Sequence, residues 1–100
     1  MAVSKIGNPS YNYGTAVNLL GYNSSSNLWT APQDGFVFAQ VWNNDSTIDC
    51  WFDTGMFQVR LQNSTAGFTR SYATFVKKGM KMWFGGSGSN RSCNYNPLFH

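Results

Sequence analysis

Apolar residues in this chain recur with a period of two. From Met56 to Gln62 the residues Phe57, Val59 and Leu61 share one parity while Met56, Gln58, Arg60 and Gln62 share the other, the pattern of a strand with one face on a core and one in water. The longest apolar run, Phe36 to Trp42, differs: Phe36, Phe38, Gln40 and Trp42 occupy one parity and Val37, Ala39 and Val41 the other. Both faces are largely apolar, so this run reads as a strand buried on both sides. Further strands are predicted over Thr15–Leu20, Ser26–Ala31, Ile48–Phe52, Phe68–Val76, Met80–Phe84 and about Ser92–Phe99. Pro32 cannot donate to a ladder and closes the second of these. Polar corners separate them, at Pro32-Gln33-Asp34-Gly35, Asn63 to Gly67 and Lys77-Lys78-Gly79, and Gly85 to Asn90 reads as a flexible loop. No stretch of ten or more residues carries a helical period. The chain is therefore expected to be all-β: a single-domain antiparallel β-sandwich, jelly-roll-like, of seven to eight short strands. The same periodicities suit a closed barrel.

One hundred residues make one domain with one modest core. Residues 1–14 are read as an N-terminal arm and 15–100 as the sandwich. A hydrophobic fraction of 42% with 17% aromatic residues excludes a disordered chain. Charged residues reach 11%, against about 25% in ordinary soluble domains. Asn and Ser supply the missing polarity, and a surface of amides and hydroxyls packs against copies of itself without a large desolvation penalty. The seven basic residues outnumber four aspartates for a net charge of +3. They are scattered, with Lys77-Lys78 the one adjacent pair, so no nucleic-acid partner is expected. No window approaches a membrane span and no signal sequence opens the chain, so synthesis in the cytoplasm and free thiols at Cys50 and Cys93 are expected.

The inventory of reactive groups points away from catalysis. His100 is the single histidine and stands at the end of the chain, leaving no base for a Ser or Cys nucleophile. No enzyme activity and no cofactor are expected. Asp45, Asp49 and Asp53 recur within Asn43–Gly55 but lack the glycine-punctuated spacing of a calcium loop; they read as turn and capping residues, and no metal is expected. The aromatic residues are the remaining candidates. Trp51 and Tyr95 fall in or beside Asn-rich segments, where an exposed ring can stack on a sugar, and with Asn43 and Asn44 they form the candidate ligand-binding set. Phe36, Phe38 and Trp42, on the doubly apolar strand, are the candidate subunit-interface residues.

The segments Trp29-Thr30-Ala31-Pro32-Gln33-Asp34-Gly35-Phe36-Val37, Phe75-Val76-Lys77-Lys78-Gly79-Met80 and Tyr95-Asn96-Pro97-Leu98, in that order, resemble the small jelly-roll modules of bacteriophage fibres and appendages. These are similar in plan to the trimeric heads of tumour necrosis factor and C1q. The resemblance covers about residues 28 to 99. It implies a homotrimer, a place in the virion as a fibre, appendage or capsid-decorating protein, contacts with other virion proteins, and a host-surface glycan as a further partner. The arm would then pair with a neighbour or dock on a larger virion protein. The competing expectation is a free-standing carbohydrate-binding sandwich, which would be a monomer with an exposed Trp or Tyr.

Overall fold

The computed structural model describes residues 12–13 and 16–99. Nine strands are present among them: β1 Asn12–Tyr13, β2 Val17–Asn18, β3 Trp29–Thr30, β4 Gly35–Trp42, β5 Thr47–Phe52, β6 Phe57–Gln62, β7 Thr69–Val76, β8 Lys81–Ser87 and β9 Arg91–Phe99. They form two antiparallel sheets. In one, β1 and β2 both lie against β9, followed by β4 and β7; in the other the order is β3-β8-β5-β6. Because β1 pairs with Leu98 and Phe99 and β2 with Asn94 and Tyr95, they are two pieces of one interrupted edge strand. Counted so, there are eight strands, four to a sheet. From β3 onward the chain changes sheets at every connection except the β5–β6 hairpin, which is the double Greek key of a jelly roll. Of the arm expected over residues 1–14, Asn12–Tyr13 pair with the chain's own β9; the rest lies outside the described residues.

The core is built by one parity from each sheet. Val37, Ala39 and Val41 of β4 meet Ile48, Cys50 and Phe52 of β5, with Met82 and Phe84 of β8 and Cys93 and Tyr95 of β9 completing the layer. All are essentially without exposed surface, the alternation that a two-layer sandwich imposes on each strand. That geometry corrects the reading of Phe36–Trp42 as buried on both sides. In a two-layer fold each sheet has one covered face, and the Phe36, Phe38, Gln40, Trp42 parity of β4 faces outward, with Phe36 at 39% and Phe38 at 40% exposure.

Two other elements differ from expectation for local reasons. Within Ser26–Ala31 just Trp29 and Thr30 join a ladder. The preceding polar segment satisfies itself instead: Asn27 donates from Nδ2 to the Gly21 carbonyl (2.8 Å) and from its backbone N–H to the Ser24 carbonyl (2.9 Å), competition that short polar side chains offer to a ladder. Conversely, β8 runs through Gly85 and Gly86, which read as loop. These residues pair with Asp49 and Ile48 of β5, so the bare backbone continues the sheet.

The three segments that carry the jelly-roll resemblance meet at one end of the sandwich. Ala31 donates to the Met80 carbonyl and accepts from Gly79, both bonds at 2.8–2.9 Å. The Asp34 carboxylate accepts from the Lys78 backbone N–H at 2.9 Å, and its carbonyl accepts from Leu98 N–H at 3.0 Å. Gln33 donates from its side chain to the Leu98 carbonyl and accepts at its own carbonyl from the Tyr95 hydroxyl (2.7 Å). The Pro32–Gly35 and Lys77–Gly79 corners are thus mutual caps for backbone groups that leave the sheets.

Cys50 and Cys93 are free and buried. Burial pushes the Cys50 thiol from 9.0 up to about 12, with Asp49 adding to the rise, and burial with the neighbouring Cys50 pushes Cys93 up as well. Ellman's reagent at pH 8 should therefore find no thiol in the folded protein and two after guanidinium unfolding. Unfolded thiols ionise near pH 9 while the folded ones keep their protons, so above pH 9 the unfolded state binds fewer protons and stability falls as pH rises. Below pH 9 this contribution is fully present. Urea midpoints taken from pH 8 to 11 should fall less steeply in a Cys50→Val/Cys93→Val variant; equal slopes would show that the thiols contribute nothing to the decline.

Candidate functional site

The outer face of the β9 sheet is one candidate surface. On β4 it presents Phe36, Phe38, Gln40 and Trp42, and the register sets Phe75, Ala73, Ser71 and Thr69 of β7 beside them in that order. On the other side stand Asn96, Asn94 and Ser92 of β9, with Asn18 of β2 next to Asn94. No ionisable side chain occupies any of these positions. Phe36 and Phe75 meet edge to face with centroids 5.7 Å apart, and Phe75 is 46% exposed. Three phenylalanines, a half-buried tryptophan and a field of amides and hydroxyls make a sheet face with no charge. A lone soluble domain ordinarily places ions on such a face. To the expected interface residues Phe36, Phe38 and Trp42 the register adds Phe75, whose parity within Phe68–Val76 is the signal that finds it.

The outer face of the other sheet has different chemistry. Trp51 of β5 and Trp83 of β8 are direct cross-strand partners, as are Asp49 and Gly85; on the far side of β5, Asp49 faces Arg60 and Trp51 faces Gln58. Arg60 grips Asp49 through Nε at 2.7 Å and Nη2 at 3.3 Å, a two-point pair. A depression of about 320 Å³ lies among Asp49, Gln58, Val59, Arg60 and Trp83. Two glycines set the ring positions. A β-carbon at Gly85 would come within 2.9 Å of both Trp83 Cζ3 and the Asn23 carbonyl oxygen, and one at Gly55, whose φ is +81°, within 2.9 Å of Trp51 Nε1. The Trp83 ring therefore lies down along its strand over bare Gly85 backbone, while the edge of Trp51 lies against Gly55.

The other expected ligand residues fall elsewhere. Tyr95 is 1% exposed; its ring packs on Trp29 with centroids 4.6 Å apart and its hydroxyl is occupied by Gln33, so it is a core residue and is withdrawn from the ligand-binding set. Asn43 and Asn44 are exposed and hold left-handed backbone, φ 57° and 65°. Their short polar side chains tolerate that conformation, and they sit at the opposite end of β5 from Trp51, roughly 13 Å along the strand. The structure does not bring them to the tryptophans. The three aspartates are also apart in role: Asp45 accepts from Ser46 Oγ (2.7 Å) and Asn90 N–H (3.3 Å), Asp49 holds Arg60, and Asp53 sits in the β5–β6 turn with φ 46°. Among the described residues no three His, Cys, Asp or Glu gather as metal ligands.

Neither a family model, nor a curated protein, nor a solved structure matches this chain.

Proposed function

We propose that this protein is a non-enzymatic structural module of a bacteriophage virion that assembles as a homotrimer through the outer face of its β9 sheet. The observation that carries the assembly is the absence of charge from the described residues of that face together with the exposure of Phe36, Phe38 and Phe75. Eight residues of β4 span about 26 Å and four strands about 19 Å, a footprint of about 500 Å², below the roughly 800 Å² that each partner contributes to a standard interface and near the lower bound of about 1,000 Å² in total for a specific one. An uncharged face accepts a second copy of itself with no ion to desolvate and no like charge to repel.

The number three, the virion and its other proteins as partners come from the resemblance over residues 28 to 99. Its three segments meet in one hydrogen-bonded corner, which supports a common plan. Light scattering coupled to size exclusion, over a dilution series with reductant, tests the assembly. A trimer would weigh about 34 kDa, three times 11.2 kDa; a monomer at all concentrations would overturn it. Antibody labelling of purified particles then tests the virion assignment.

A further inference from the structure

We infer that the outer face of the β3-β8-β5-β6 sheet is a binding site for a neutral oligosaccharide of at least two pyranose rings, with Trp83 and Trp51 as its stacking surfaces. A pyranose offers a flat patch of C–H groups on one side and hydroxyls around its rim. Its recognition needs a planar apolar platform and, at the edge of that platform, paired donors and acceptors. Trp83, half-buried like Trp51, supplies the platform: the missing side chain at Gly85 lets its indole lie along the sheet, beside the Asn23 carbonyl that also closes on that glycine. Asp49 and Arg60 supply the rim. Their two-point contact leaves guanidinium N–H donors and carboxylate lone pairs side by side, with the Arg60 side chain 63% and the Asp49 side chain 35% exposed, the pairing that two adjacent hydroxyls match. Gln58 adds an amide at the same depression, whose volume of about 320 Å³ falls at the lower end of ligand sites.

Two further observations select this ligand class. Trp83 Nε1 is shut off from solvent and has no acceptor among the described residues. A phenylalanine would fill the same place without that unpaired donor, so the indole's extra breadth comes at the cost of one buried N–H. The paired rings also leave their strands in opposite directions, Trp83 toward Gly85 and Trp51 toward Gly55, so the apolar surface is a strip longer than one sugar. Asp49 and Arg60 cancel in charge at the depression, which favours a neutral chain there, with Lys81 the exposed cation farther along the same face of β8.

The test is calorimetric titration of the full chain with a panel of neutral tetrasaccharides, α- and β-linked, of glucose, mannose, galactose and N-acetylglucosamine, each up to about 10 mM. At least one is expected to bind, more tightly than its own disaccharide, and Trp83→Ala and Arg60→Gln should each weaken it by about tenfold or more. Arg60 is exposed, so Arg60→Gln carries the test should Trp83→Ala fail to fold. A panel without a binder, or affinities untouched by both variants, would overturn the site. Assembly is separable from it: Phe38→Asp, on the opposite face, should bind the sugar as the parent does, and a parent that is monomeric yet binds would remove the trimer while leaving this site standing.

Discussion

Aspartate in place of Phe38 is expected to leave the protein a folded monomer. Phe38 stands in the middle of the uncharged face, with Ala73 on one side and Asn94 on the other. In the assembled state a carboxylate there is enclosed by Phe36, Phe75 and the neighbour's surface, with no cation among the described residues of that face to meet it. Leaving one buried charge unpaired costs about 3–5 kcal/mol, which weakens association by about 100- to 1,000-fold or more. The same carboxylate in an isolated chain points to water, so the domain itself should lose only about 1 kcal/mol, chiefly through the low strand preference of aspartate. The two effects separate experimentally. The parent should melt at a temperature that rises with protein concentration, as assembly stabilises the folded state by mass action, and the Phe38→Asp protein should not. Gln62→Asp, exposed on the opposite sheet, should leave the mass unchanged. If Phe38→Asp retains the parent's mass by light scattering, the β9 sheet face is not the interface.

The residues that organise the fold differ in how far they can be read without it. The alternation of β4 and β6 and the corners at Pro32–Gly35 and Lys77–Gly79 are local signals: side-chain parity and turn chemistry act within a few residues. Parity does not say which face another layer covers, so Phe36 and Phe38 read as buried until the sandwich shows a single covered side. Tyr95 is the opposite case. Asn94 and Asn96 flank it and face outward, but period two turns Tyr95 inward, and the polarity of sequence neighbours is no guide to its own exposure. Gly85 and Gly86 carry no strand signal because their place in β8 comes from the close approach of β5, a tertiary constraint that overrides propensity. Trp51 was legible as an aromatic residue in a polar setting. Its pairing with Trp83, across 32 positions of chain, depends on a register that no local pattern contains, and so do the Asp49–Arg60 contact and the depression beside it.

Removing the Phe52 ring should be the most destabilising single truncation in the core. Phe52 has no exposed surface and is the centre of an aromatic cluster: Phe57 stacks on it at 4.9 Å and 18°, Phe84 meets it edge-on at 5.9 Å and 83°, and Tyr72 of the opposite sheet approaches at 6.1 Å. It therefore ties the turn end of the β5–β6 hairpin, through both of its strands, to the facing layer. Phe52→Ala loses the transfer energy of the ring, the edge and stacking contacts, and leaves a cavity that three rigid rings cannot collapse to fill, about 3–5 kcal/mol in all. A domain of this size shifts its melting temperature by about 4–8 °C per kcal/mol, so a fall of about 15–30 °C is expected. Against a total stability of about 5–15 kcal/mol, such a loss brings the chain close to unfolding at physiological temperature. Phe57→Ala is the internal comparison. Phe57 gives one face to Phe52 but is 40% exposed, so water already occupies part of its surroundings and truncation should cost about a third as much. Thermal melts followed by circular dichroism, at one low concentration to keep assembly out of the reading, measure both. Equal losses, or a Phe52→Ala protein within about 1 kcal/mol of the parent, would show that the two sheets are not held together through this ring.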